Sequence, residues 1–513
     1  MKMNIRSLYF VLIVVLSLGL LFEWTSEKKD ESIQKHLGED LYSGFDIGNS
    51  HAYIENDEMS VVIAIKSGAI VETRLKKYPV ENVDGANGFR VLGKSKDSSF
   101  SYFFKSGFVG VSSTSYELVG GGSGEDYVEL LDKDQGLSKR ISFLPATYEI
   151  SILDSSSVGG LGSSYAGLFR TEGRALDLKR EALNGGMMNN SSYEGVAISS
   201  EADPYSTTRL RGIDESQEIL SRSGWIAFIQ KYFFAAIIGS DEYIYNYYVY
   251  PKEDGIFRMG YTVEGSSINN TDYGHEHRLF VGPKIRKDLM QRAENLELSI
   301  DMGWFWFLSQ PMVWFMDLIN GYVNNWGLTI VIFTVLIKLV FWPITSKSFR
   351  SMAALRKITP ELNEIKERYK DDRQKQGAET MKFMKKHGAN PLGGCLPMLI
   401  QMPFFIGFFF ALREMVELRH SELGFWTDLS APDPYFILPA MFCFLMIMTQ
   451  RLNPQPAGMD ATQAQVMKYM PVMFSVLFIF FPTALCLYTV VNTGVQLAQQ
   501  SYLYKQQGAL SSG

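Results

Sequence analysis

Four apolar stretches crowd the last third of the chain: Trp326 to Thr345, Leu392 to Leu412, Tyr435 to Thr449 and Met467 to Ala498. A helix needs about 20 apolar residues to cross a bilayer. The third stretch reaches that length with its neighbours Pro434 and Gln450, and the last is long enough for two crossings. Pro482, in Phe481-Pro482-Thr483, lacks a backbone donor and disfavours helix before it, so two spans joined by a tight turn are expected there. Near the start, Leu8 to Phe22 carries no charge. Hydrocarbon leaves no water for free backbone groups, so these segments must be helices. The fold class is therefore a polytopic α-helical membrane protein with six transmembrane helices.

Loop charge sets the orientation. Lys2 and Arg6 precede the first apolar run, and Glu23-Trp24-Thr25-Ser26 after it contains no small-x-small cleavage site. A secretory signal and an uncleaved anchor are both open; the missing cleavage site favours the anchor. Residues 1–6 are then cytoplasmic, 7–23 form the first span and 24 onward emerges on the outer face. Segment 346–390 is rich in lysine and arginine, including Lys347, Arg350, Arg356 and Lys366, whereas 414–432 carries Arg419 against Glu414, Glu417, Glu422 and Asp428. The positive-inside rule puts 346–390 in the cytoplasm, in agreement with Lys2 and Arg6. The remaining spans are read as 326–345, 391–413, 433–452, 464–481 and 482–504, with 453–463 and the tail 505–513 cytoplasmic.

Region 24–300 carries a net charge of −11, against +5 for the rest. That split suggests two compartments, and no basic stripe on a soluble domain supports nucleic-acid binding. Ser60–Lys66, Ala69–Leu75, Ile141–Leu144, Tyr148–Leu153 and Tyr243–Tyr250 are rich in β-branched and aromatic residues and separated by turn formers, which predicts a sandwich. Gly120 to Gly124 lacks a following Gly-Lys-Ser/Thr and reads as a surface loop. Lys284 to Leu298 is expected to be a helix with Leu289, Ala293 and Leu296 on one face. Segment 301–322, dense in Trp and Phe, is expected to lie along the outer membrane surface, the alternative being a buried helix of the soluble domain. In 346–390, Met352, Leu355, Ile358, Leu362, Ile365 and Tyr369 recur at helical spacing opposite a basic face, interrupted at Asp371-Asp372. This is a helical hairpin, either a connector drawn to anionic headgroups or an arm that meets clients.

Lys338 lies inside Val331–Trp342, where a charge is costly and is a functional candidate. Snorkelling is the plain alternative, but Lys347 at the surface is nine residues on, roughly 13 Å along a helix. Thr334, Gln401, Gln450, Tyr488, Asn492 and Gln496 are polar residues of the spans that could join Lys338 in a wet, positively charged recess at inner-leaflet depth. No catalytic or cofactor motif is present: HExxH, GxSxG and the P-loop are missing. His275-Glu276-His277 lacks a third ligand and reads as a surface loop rather than a metal site. Cys395, Cys443 and Cys486 all lie in apolar runs, so 24–300 must stand on its own core. Neither an enzyme nor a cofactor is expected.

Asn390-Pro-Leu-Gly-Gly-Cys-Leu-Pro-Met-Leu-Ile-Gln-Met-Pro403 resembles the third-span motif of the YidC family of membrane protein insertases, whose relatives serve mitochondria and chloroplasts. Trp342–Thr345 with Ser351–Arg356, Asp428–Ser430 with Asp433–Pro439, Met470–Met473 and Phe481-Pro482 are similar to further family motifs. Gly224–Phe233 and Val281–Pro283 resemble the periplasmic domain of Gram-negative members. The resemblance covers essentially the whole chain. It implies an N-terminal anchor, five helices forming a core and a periplasmic β-supersandwich with a short helical tail. It also implies a hydrophilic groove open to cytoplasm and lipid but closed to the outside. Lys338 matches the groove's basic position, where many members have arginine, so bidentate pairing with a carboxylate is lost; Thr334, Gln401 and Tyr488 match other groove positions. Nascent membrane-protein clients, the Sec translocon, the ribosome and the lipid bilayer are the implied partners. The tail carries only Lys505, unlike the long basic tails that contact ribosomes in other members.

The expected function is insertion and folding of proteins in a bacterial inner membrane, without nucleotide, because apolar transfer supplies the driving force. A transporter would need a path across both leaflets, yet the outer half of the spans shows no second set of charges. A glycan-binding or glycan-modifying protein would place its activity in the sandwich.

Overall fold

The computed structural model describes residues 50–506, except 81, 83–85, 95–100, 112–113, 145–146, 159–162, 172–194, 210–212, 214, 254–255, 265, 270–271, 301, 303–304, 370–371, 388–395 and 453–460. The expected cytoplasmic start 1–6, the anchor 7–23, the stretch 24–49, Cys395 and most of 453–463 and 505–513 lie outside the described residues.

Two antiparallel sheets build the N-terminal half. The first runs in the order β1 (His51–Glu55), β2 (Met59–Ala64), β3 (Ala69–Pro79), β6 (Ser101–Phe108), β11 (Ser163–Thr171), β18 (Ile256–Glu264), β17 (Tyr245–Glu253) and β14 (Gln217–Ser221), with β4 (Gly88–Arg90) on β3 and β5 (Gly93–Lys94) on β6. The second runs β13 (Ser206–Arg209), β12 (Gly195–Ser199), β15 (Trp225–Ile229), β16 (Phe233–Ile238), β20 (Asp272–Pro283), β10 (Glu149–Ser156), β9 (Leu137–Phe143), β8 (Tyr127–Asp132) and β7 (Glu117–Gly121), with β19 (Ser266–Asn269) on β20. Alternation drives the pairing: Val128 and Leu130 of β8 and Leu137, Ile141 and Phe143 of β9 point inward, with more exposed residues between them. The glycine cluster forms the turn between β7 and β8. Gly121 has φ of +70°, and a Cβ there would come within 2.2 Å of the Tyr127 carbonyl oxygen.

β15 and β16 are buried on both faces. The covering segment is 284–302, where the structure departs from the expected continuous helix: only α1 (Arg286–Leu289) and a 3₁₀ turn at Leu296–Ser299 form. Asn295 takes the left-handed conformation (φ +62°), and the Trp225 indole takes the Glu294 carbonyl at 3.1 Å. The apolar positions still face inward, with Leu289 and Leu296 fully buried and Ala293 packed against the core. His275-Glu276-His277 also departs from expectation. It lies on strand β20, paired with β10, and both imidazoles are buried against the facing sheet: His277 bonds Ser164 and Tyr261, and His275 packs on Tyr245 and Tyr261. Among the described residues no metal-binding cluster forms.

The C-terminal half is helical: α2 (Trp306–Val323), α3 (Trp326–Lys357), α4 (Thr359–Arg368), α5 (Arg373–Lys386), α6 (Leu396–Glu414), α7 (Ile437–Leu452), α8 (Ala461–Phe478) and α9 (Thr483–Gln506). α2 packs on α3 and α6 through Ser309, Met312, Val313, Met316 and Ile319, and Ser309 Oγ donates to the Gly407 carbonyl at 2.7 Å. Its opposite face leaves Trp306, Phe307, Trp314 and Tyr322 exposed. α3 is about 48 Å long at 1.5 Å per residue, more than a bilayer core of about 30 Å, and continues through Pro343 past the expected boundary at 345. Its Trp326–Ala354 stretch is, among the described residues, the one helix long and apolar enough by itself to cross a membrane; Ile437–Leu452 and Lys468–Phe478 are shorter apolar helices. α4 and α5 pack as a hairpin through Leu362 and Met384, and Asp372 caps α5 by accepting the Lys375 amide at 3.0 Å. α8 and α9 are separated around Pro482.

Candidate functional site

α3 begins where Asn325 caps it, its Oδ1 accepting the Leu328 amide at 2.9 Å. Lys338 lies twelve residues on, about 18 Å from that end. With Thr334 one turn before and Thr345 two turns after, it defines one face of α3, the face that meets α9. Lys338 is 6% exposed.

Its Nζ donates to Gln401 Oε1 of α6 at 3.1 Å. Gln401 passes the contact on: its Nε2 donates to Asn492 Oδ1 of α9. The Tyr488 hydroxyl, one turn earlier on α9, also engages Gln401. Three helices thus meet in a chain of polar side chains around one cation. An ammonium has three donors, and among the described residues no carboxylate lies within salt-bridge distance of Lys338.

Aromatic and polar contacts flank this node along the helices. Toward the sandwich, Phe333 stacks on Phe408 at 5.1 Å, and Phe408 packs against the tilted ring of Tyr488 at 4.5 Å. Toward the far end, Gln499 Nε2 donates to Thr345 Oγ1 at 2.8 Å, Ser346 Oγ at 3.1 Å and the Trp342 carbonyl at 3.3 Å. The polar node therefore sits under an aromatic lid and above an amide clasp between α3 and α9.

The structure brings Lys338, Gln401, Tyr488 and Asn492 together. Thr334 is adjacent and buried, but its hydroxyl bonds back to the Ile330 carbonyl of its own helix at 2.6 Å. Gln496 makes no hydrogen bond to the set. Sequence reading missed Gln499, which is seven residues after Asn492 and shares its face of α9. The run Gln496, Gln499, Gln500 offers several amides at helical spacing, and only the partner helix distinguishes them.

Residues 318–509 match the family described as 60Kd inner membrane protein, and residues 52–315 match the YidC periplasmic domain. The membrane protein insertase YidC of Hahella chejuensis is 34% identical over 490 residues, covering 88% of this chain and 82% of its own. That of Haemophilus influenzae strain PittEE is 33% identical over 477 residues, covering 88% and 85%. The crystal structure of an active YidC insertase with its first transmembrane domain resolved is 19% identical, covers 88% of this chain and 92% of its own, and superposes with a TM-score of 0.41. Two family models together span nearly the whole chain, and its helical and β-rich halves each match their own; the chain belongs to the YidC family of membrane protein insertases.

Proposed function

We propose that Lys338, Gln401, Tyr488 and Asn492 line a polar groove in the cytoplasmic leaflet, with Thr334 and Gln496 at its margins. There a client's polar or acidic segment is held while its apolar segment partitions into lipid. The observation that carries this is the buried Lys338 ammonium, bonded to the neutral Gln401 and, among the described residues, without a carboxylate partner. A buried cation without a counter-ion is unfavourable unless something anionic or hydrated comes to it. The groove lowers the cost of carrying polar groups partway through hydrocarbon, and burial of apolar client surface drives the reaction.

The topology that fits has six spans with both termini in the cytoplasm and the sandwich in the periplasm. The excess of lysine and arginine in 346–390 over 414–432 supports it through the positive-inside rule. In this reading α2 lies in the outer headgroup layer with Trp306, Phe307 and Trp314 toward lipid. The protein works on nascent chains, alone or beside the Sec translocon.

The test is depletion of the protein from its host, followed by protease accessibility of small labelled membrane proteins. Clients should accumulate uninserted, and Lys338→Ala should restore less than the wild type. Lys338→Glu should impair clients with acidic translocated segments most. Equal insertion of acidic and neutral clients by Lys338→Glu would rule out the electrostatic role.

A further inference from the structure

The outer face of the first sheet carries an aromatic cleft. Along β17, Tyr245, Tyr247 and Val249 point into the core, and strand alternation turns Asn246, Tyr248 and Tyr250 to the opposite face. Register sets Thr262 of β18 opposite Asn246, and Tyr165 of β11 opposite Thr262. The adjoining row is bare: Tyr248 faces Gly260, and Gly260 faces Gly167. Two neighbouring glycines leave a hollow, and the Tyr248 ring lies down into it. A Cβ on Gly167 would stand 3.0 Å from the Tyr248 hydroxyl oxygen. Loop 109–111, after β6, forms the rim. The cleft has a volume of about 340 Å³, inside the range of about 300–1,000 Å³ typical of small-molecule sites.

Its polar groups are ordered by one carboxylate. Glu218, on the edge strand β14, accepts from Asn246 Nδ2 at 3.0 Å and from the Tyr250 hydroxyl at 2.9 Å. Those two bonds hold its carboxyl below the usual range, so it stays charged and oriented at neutral pH. Tyr250 in turn stacks on Tyr248, with ring centroids 4.8 Å apart. Tyr248 is only 8% exposed, yet among the described residues neither its hydroxyl nor that of Tyr165 has a hydrogen-bond partner. A phenol so placed has an apolar ring in the wall and a polar tip free for a ligand. Among the described residues no lysine or arginine lines the cleft, so a phosphate or carboxylate ligand would find no counter-charge there.

We propose that this cleft binds a short uncharged glycan, giving the sandwich a recognition function of its own, separate from the insertase activity of the helices. A sugar ring has an apolar C–H face to set against tyrosine rings. Its hydroxyls reach Glu218, Asn246, Thr262 and the two unpartnered phenols. A wholly apolar ligand would leave those groups without partners. Cleavage of a glycosidic bond uses a pair of carboxyl groups. Glu218 stands alone at the cleft, so the site holds a glycan without cutting it.

Full-length protein in lipid nanodiscs, free of sugar-based detergent, is titrated by calorimetry with maltotriose, cellotriose, laminaritriose and chitotriose. At least one of the four should bind. Glu218→Gln and Tyr248→Phe, both nearly isosteric, should each weaken that binding by about tenfold, the loss of one strong hydrogen bond. Client insertion by both variants should match the wild type, and a fall would overturn the separation of the two functions. No heat from any of the four at millimolar concentration overturns the glycan site, as does binding that both substitutions leave unchanged. A polyproline peptide, which aromatic-lined grooves also accept, is the competitor. Its binding in place of the trisaccharides would overturn the assignment to a glycan.

Discussion

Lys338 and Gln401, sixty-three residues apart, meet at 3.1 Å between helices that run in opposite directions. The contact makes the two side chains interdependent. Gln401→Leu should strand the ammonium and cost roughly 1–3 kcal/mol, whereas Lys338→Met together with Gln401→Leu should recover most of that stability while still failing to insert acidic clients. Thermal melting of the purified protein, paired with an insertion assay, reads both. Equal melting of the single and double variants would show that the hydrogen bond carries no stability.

A second polar knot lies inside the sandwich. Lys139 Nζ is 2.8 Å from Asp154 Oδ1, with both side chains fully buried, and donates to Ser106 Oγ at 2.7 Å. Gly68, at φ +63°, makes room for the lysine stem, since a Cβ there would lie 2.7 Å from Lys139 Cε. His277 stands beside the pair, bonded to Ser164 and Tyr261 at 2.9 and 3.0 Å. Burial first, then His275 and Lys139, hold its imidazole well below the usual range, so it is neutral. Asp154→Ala should destabilise by roughly 3–5 kcal/mol because it leaves a buried ammonium unpaired, while replacing the pair by Met and Leu should be near neutral. The melting transition of the sandwich, followed by near-ultraviolet circular dichroism, checks this.

Gln499 closes the far end of the α3–α9 contact through Thr345 and Ser346. Gln499→Leu removes the acceptor and donors of two buried hydroxyls. Side-chain bonds between membrane helices are modest, so a loss of about 1–2 kcal/mol is expected. Unfolding in mixed micelles measures it, and Gln496→Leu, outside this network, is the control that should change little.

Glu417 provides a pH signature in the segment joining α6 to α7. Burial first, then the nearby Asp317 and Asp288 carboxylates, push its carboxyl up to about 7 from 4.5. A carboxyl whose folded value is raised binds its proton more tightly when folded. Its contribution is therefore fully present below 4.5 and is lost as pH rises through about 7. Wild-type protein should lose melting temperature between about pH 5 and about pH 8 relative to Glu417→Gln, whose curve should be flatter over that window. Parallel curves would place the titration elsewhere.

Much of this molecule could be read from residue order. Val128, Leu130 and Ile141 alternate with polar neighbours, and alternation specifies a strand with one buried face whatever the partner strand is. Lys338 was conspicuous because a charge inside Val331–Trp342 is costly in any arrangement of helices. Pro482 broke the last apolar run through its own missing donor. Lys284–Leu298 misled because its apolar spacing satisfies a helix and a coil laid on a sheet equally well. The outcome turned on the Trp225 indole, sixty-nine residues away in sequence, which competes for the Glu294 carbonyl.

What the sequence determined by itself was therefore local and one-dimensional: which segments are apolar enough to leave water, which face of each strand turns inward, and where a buried charge must find company. What only the tertiary structure decided was the company. Whether Lys338 meets Gln401, whether Gln499 rather than Gln496 bridges α3 and α9, and whether Arg419 slides over Phe89 and Phe233 depend on the rotation and register of distant elements. Several amides on one helix face are chemically equivalent along the chain; the neighbour that packs against them makes one the partner and leaves the other outside.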